Sequence, residues 1–207
     1  MTDLIDLTHE IYDDMPVYPV DDPVELDKTK SFEEDSYNYF RLETGLHAGT
    51  HIDTPMHMTD DDTYMNEVPL DRFKGNGCVL DVRGQDPIEY KDEYSDIVKE
   101  NDIVLLYTGY DEKYGSEEYY DEHPIVDESL AQFFVDKKIK MLGMDIPTPD
   151  KHPFNVHKTL FKNNILIIEN LTNLSELLSV KEFKIIAFPL KIEADSSIAR
   201  VVAKFDH

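Results

Sequence analysis

The chain has 207 residues, of which 41% are hydrophobic, enough for one domain with a substantial core spanning the whole length. Its 20 Lys+Arg stand against 44 Asp+Glu, a formal net charge of -24. Such a surface excludes nucleic acid and anionic membranes as partners, because both are held by clustered Lys and Arg. The single cysteine permits no internal disulfide.

The first residues, Met1 to Asp6, carry no basic region and no sustained apolar stretch. No run approaches the ~18 apolar residues of a membrane span, so a cytoplasmic protein is expected. Short apolar or alternating runs predict strands near 3–8, 38–44, 78–82, 102–107, 140–144, 164–168, 183–188 and 199–204. Cys78 falls within one of them and reads as a small core residue. Helical patterning runs from Ser129 to Lys138, with Asp127 or Ser129 as its cap, and from His152 to Lys162. The acidic runs Glu33-Glu34-Asp35 and Asp60-Asp61-Asp62 read as loops. Many strands with a few interposed helices predict a single α/β domain built on a curved mixed sheet.

The informative stretch is His47-Ala48-Gly49-Thr50-His51-Ile52-Asp53-Thr54-Pro55-Met56-His57. Gly49, the β-branched Thr50 and Ile52, and Pro55 all argue against a helix. In an extended chain His47, His51, Asp53 and His57 share one parity and point to one side. A straight strand would hold His47 and His51 about 13 Å apart, too far for one ion, whose nitrogen ligands lie at roughly 2.0–2.1 Å. Shared ligation therefore requires a turn between them, and Gly49 is where a turn is cheapest. The other reading is a polar loop that holds histidines for hydrogen bonds. Further on, His157 lies on the second helix and Glu169 follows the apolar strand Ile165 to Ile168. A turn at Asn163-Asn164 can bring the two together. A carboxylate ending such a strand is as often a surface group as a functional one.

The pattern His-x-Gly-Thr-His-x-Asp-x-Pro-x-His resembles the signature of the putative cyclase family, which includes bacterial kynurenine formamidases. Every fixed position is present. Asp6-Leu7-Thr8-His9, Tyr18-Pro19, Val68 to Phe73, Gly143-Met144-Asp145, His157 to Leu160 and Ile167 to Leu171 extend the likeness over most of the chain. The resemblance implies a swivelling β/β/α-like fold and two metals. His47, His51 and Asp53 would hold one, while Asp53, His157 and Glu169 complete the second. Nitrogen and oxygen donors without thiolate suit Zn2+, with Mn2+ as the alternative.

The implied reaction is hydrolysis of an amide by metal-activated water, with N-formylkynurenine as the leading substrate. Another cyclic or aryl amide, as in isatin hydrolases, is the second choice, and a metal-loaded binding protein without turnover is the third. The family gives His57 the proton-transfer role, and a side chain that titrates near neutrality suits it. Tyr18 would contact the substrate, where relatives often carry Trp. Other departures are Val20 in place of glycine, Met58 in place of Phe, and a segment Asp195 to Arg200 without the usual Gly and Pro. None touches a proposed ligand. His9 is expected near the site, His123 and His207 on the surface, and Asp145 either beside a ligand histidine or capping a turn. A homodimer or homotetramer is implied by the family.

Overall fold

The apolar runs of the sequence lie side by side as parallel strands in the centre of one sheet. A computed structural model describes residues 2–206. Its strands are β1 (Thr2–Asp6), β2 (Glu25–Lys30), β3 (Tyr39–Glu43), β4 (His51–Asp53), β5 (Lys74–Asp81), β6 (Ile103–Tyr107), β7 (Met141–Met144), β8 (Leu166–Glu169), β9 (Phe183–Pro189) and β10 (Ser196–Asp206). β5, β6, β7 and β8 pair in parallel, while β4, β9 and β10 join antiparallel. β9 pairs with β5 on one side and with β10 on the other, which closes the curved mixed sheet into a barrel. β1 lies along the far end of β10.

Alternation along each strand sorts the core into two. Ile52, Ile103, Leu105, Met141, Leu166, Ile168, Ile185 and Val201 fill the barrel. The intervening residues Leu80, Val104, Leu106, Leu142 and Ile167 pack outward against the helices, meeting Leu130 and Phe134 of Glu128–Lys137 and Leu160 of Asn155–Lys162. Strands covered on both faces read as continuous apolar runs, and each such side chain contributes roughly 1.5–3 kcal/mol on burial. This two-sided core makes the barrel a rigid frame for residues on its outer face. Cys78 packs there, half-buried, with burial pushing its thiol up to about 12.

Two strands escape the sequence pattern. β4 is three residues long, and β2, which reads as mostly polar, pairs with the expected strand β3 in a separate ribbon. The first long helix is capped by Asp127, whose side chain accepts from the Ser129 N–H. The second begins at Asn155 rather than His152, because His152 precedes proline and Phe154 takes a left-handed conformation, φ 62°. Among the described residues no helix is long and apolar enough to cross a membrane.

Candidate metal centre

Antiparallel pairing of β4 with β8 sets His51 directly opposite Glu169. His51, Asp53 and Glu169 alternate with Ile52 and Ile168, so they project from the outer face of the barrel while those isoleucines fill it. The chain reaches His51 through Gly49, whose φ of +61° makes the turn expected between the two histidines. Pro55 opens a one-turn 3-10 helix that carries His57 back over the site. His157 comes from the helix Asn155–Lys162, connected to β8 through Asn164 at φ 57°.

These elements bring together all six of the metal-ligand and proton-transfer candidates read from the sequence. His47 Nδ1 lies 3.1 Å from Asp53 Oδ1, and His51 Nε2 lies 3.6 Å from the same oxygen. Glu169 stands between two imidazoles, 3.3 Å from His51 Nε2 and 3.4 Å from His157 Nε2. Ligand atoms of His51, Asp53 and Glu169 lie within 4.8 Å of one another, as do those of His47, Asp53 and His57. Asp53 is common to both groups, but His51 groups with Glu169 and His57 with His47, whereas the resemblance sets His51 beside His47 and gives His57 to proton transfer.

The donor set fits divalent cations. His51 Nε2, Asp53 Oδ1 and Glu169 Oε1 are buried and, among the described residues, have ion-pair contacts of 3.1–3.6 Å but no hydrogen bond, an expensive arrangement for polar atoms unless a cation completes it. The imidazoles are oriented from behind. His51 Nδ1–H donates to Gly49 O at 2.8 Å, and His157 Nδ1–H donates to Asp150 Oδ1 at 2.5 Å. Each bond turns the Nε2 lone pair toward the centre. Burial opposes charge on these rings, yet carboxylates overcome it. Asp195 and Asp53 raise His47 to about 10, and Asp150 with Glu169 raises His157 to about 9. Burial likewise opposes the negative form of Asp53, but His51 and His47 hold that carboxyl well below its usual range. Protons and metal therefore compete for the same lone pairs.

Three contributors carry little signal in the sequence. Asp150 fixes His157 from a loop seven residues away. Asp195, just before β10, accepts from His57 Nδ1 at 2.9 Å and lies 3.5 Å from His47 Nε2. Asn170 donates to Gly49 O at 3.0 Å and accepts from the Tyr119 hydroxyl at 2.7 Å, bracing the turn that precedes His51.

The remaining expectations divide. Asp145 touches no histidine: it caps a turn, accepting from the backbone N–H groups of Thr108 and Gly109. His123 is buried, not on the surface, because it is packed in the segment after Tyr119 and Tyr120. His207 lies outside the described residues. His9 stacks on Tyr114 at 3.8 Å and its N–H donates to Thr50 Oγ1. It thus supports the motif from behind. His152 is exposed and stands away from the cluster beside Phe154.

A cavity of about 270 Å³ opens over the cluster. It is lined by His47, His51, His57, His157 and Glu169 together with Tyr18, Tyr114, Tyr120, Phe154 and Met58. Tyr18, expected to contact substrate, is among the cavity-lining residues.

The profile of the family described as Putative cyclase matches residues 5–151. Kynurenine formamidases of Bacillus cereus and Bacillus anthracis are each 28% identical over 205 residues, which is 97% of this chain and 96% of theirs. A solved structure described as a potential metal-dependent hydrolase with cyclase activity superposes with a TM-score of 0.80 at 28% identity, covering 100% of both chains. An isatin hydrolase bound to the product analogue thioisatinate superposes with a TM-score of 0.87 at 22% identity, over 100% of this chain and 93% of that one. This last likeness is one of fold.

Proposed function

The chain belongs to the putative cyclase family, and from that premise we propose that it is a metal-dependent amide hydrolase acting on N-formylkynurenine. The observation that carries the reading is the set of buried atoms on His51, Asp53 and Glu169 that make no hydrogen bond among the described residues, beneath a cavity partly lined by aromatic rings. His47, His51, Asp53, His157 and Glu169 would hold two divalent ions per chain, Zn2+ or alternatively Mn2+, with Asp53 shared. When bound, such ions lower the pKa of a coordinated water to about 7 and polarise a carbonyl oxygen.

The chain's own residues supply the rest. His57 keeps its Nδ1–H on Asp195, so Nε2 is the atom that takes a proton from water and returns it to the amide nitrogen. The C–N bond breaks, the formyl carbon leaves as formate with the water oxygen, and the aniline nitrogen carries the transferred proton. Tyr18, part of the cavity wall, would rest against the aryl ring. The same reading includes a cytoplasmic location and a homodimer or homotetramer. Phe40 and Leu42, exposed on one face of the β2–β3 ribbon, support the assembly, which sedimentation velocity tests.

The deciding experiment is formate release from N-formylkynurenine by metal-loaded protein, run beside isatin. Formation of kynurenine and formate with kcat/KM within about 10⁴–10⁸ M⁻¹s⁻¹ is expected. Rapid opening of isatin with negligible formate release would overturn the substrate while leaving the hydrolase.

A further inference from the structure

The chemistry of the cavity walls is uneven. The ligand candidates in the lining are ionic, and most of the remaining lining residues are aromatic or aliphatic. Asp21 is the one charged side chain among the lining residues outside the metal cluster, and no lining residue is Lys or Arg. A tight turn fixes the backbone of Asp21, an exposed residue, with its N–H donating to Tyr18 O at 2.9 Å. Tyr18 in turn meets Tyr120 edge to face, centroids 5.9 Å apart at 89°. The negative charge of Asp21 reaches the Tyr120 hydroxyl, which burial first, then Tyr12 and Asp21, push up to about 12. That hydroxyl oxygen is buried and has no hydrogen-bond partner.

We propose that Asp21 and the Tyr18–Tyr120 pair form a subsite for the ammonium group of the substrate, so that the enzyme selects aryl amides bearing an amine and offers a substrate carboxylate no Lys or Arg in the cavity lining. This rests on the amide-hydrolase reading above and narrows its substrate class. A carboxylate beside aromatic faces is a favourable environment for a primary ammonium, combining ion pairing with the negative face of the rings. A substrate carboxylate at the same place meets Asp21 and a chain whose formal charge is -24. In N-formylkynurenine the amine would therefore face Asp21 while the carboxylate points to solvent.

Three formanilides isolate the two charges: N-formylkynurenine, N-formylkynurenamine, which lacks the carboxylate, and 4-(2-formamidophenyl)-4-oxobutanoate, which lacks the amine. With metal-loaded protein, kcat/KM for the kynurenamine derivative should equal or exceed that for N-formylkynurenine. The amine-free acid should be about tenfold poorer, mainly in KM, the size expected of one solvent-screened ion pair and one cation–π contact. Asp21→Asn should shrink the ratio between amine-bearing and amine-free substrates by about the same factor. Calorimetric binding of the deformylated products, kynurenamine and 4-(2-aminophenyl)-4-oxobutanoate, reads the subsite without turnover. A wild-type preference for the amine-free ligand, or a preference unchanged by Asp21→Asn, overturns the subsite. Formate release from none of the three substrates overturns the hydrolase reading instead, and the binding pair still decides the subsite.

Discussion

Replacing Asp195 with Asn tests how the proton-transfer residue is aimed. His47 and His57 hold the Asp195 carboxyl well below the usual carboxylate range, so it is ionised at any working pH. Its bond to His57 Nδ1, at 2.9 Å, is charge-assisted and by type worth ~1.5–3 kcal/mol. The Asp195 side chain is 36% exposed, and solvent screening takes off about half, leaving roughly 1–1.5 kcal/mol. One factor of ten corresponds to about 1.4 kcal/mol, so D195N should lower kcat about tenfold with KM within about twofold. Asparagine still accepts from Nδ1–H, whereas alanine does not. D195A should therefore fall further, toward the ~100-fold that marks the lower end of general acid–base catalysis. Initial rates over a range of N-formylkynurenine concentrations give the split, and metal analysis of the same samples gives the control. Full kcat in D195N would refute the positioning role. Loss of metal in step with kcat would instead make Asp195 a ligand.

His57→Ala should keep its metal and lose about 10²–10⁴-fold in turnover, while His51→Ala should lose both; equal metal loss in the two variants would reclassify His57. Chelation should abolish hydrolysis, and restoring the metal to 100 times its dissociation constant should stabilise the fold by about 2.7 kcal/mol, read as a rise in Tm; full activity in verified metal-free protein would refute metal dependence. Gly49→Ala forces a side chain into φ +61° and brings its Cβ 3.1 Å from Met15 Cε. Denaturant unfolding should show a loss of ~1–2 kcal/mol, and an unchanged midpoint would mean the turn is not constrained. In metal-free protein His47 and His157 are raised to about 10 and about 9. Their stabilising contribution is complete below about pH 6.5, the unfolded value, and is lost as pH climbs through 9 to 10. Metal-free Tm should fall across that window, and a flat profile would contradict the proton-filled cluster.

Local chemistry made much of this legible in advance. The run from Ile103 to Tyr107 carries its own strand signal because both its faces are buried, and the odd parity of His51 and Asp53 survives in β4. The turn at Gly49 followed from a distance that an extended chain cannot bridge. What stayed hidden depends on partners remote in sequence. Asp195 is one acid among 44 Asp+Glu until β10 folds against β4 and places it on His57. Asp150 is similarly silent, since its importance lies in the lone pair it turns on His157. His123 reads as a surface residue because a lone histidine in an acidic stretch shows no apolar period, although packing buries it. β2 was missed for the opposite reason: its charged residues face water, where Arg41 of β3 bridges Glu25 and Asp27.

The chain order of the site also sets when it can exist. The hydrogen bond between His47 and Ser196 spans 149 residues, and that between His57 and Asp195 spans 138. A metal finger has all its ligands a few residues apart; here His47, His51 and Asp53 are close in sequence, but His157 and Glu169 arrive only after β5, β6 and β7. Closing such loops costs entropy before any contact repays it. During synthesis the His47–His57 segment emerges with its imidazoles free, while Glu169 and Asp195 have yet to be made. The five ligand candidates can therefore meet only once β8 pairs with β4, and the Asp195 that aims His57 joins later still, with β10.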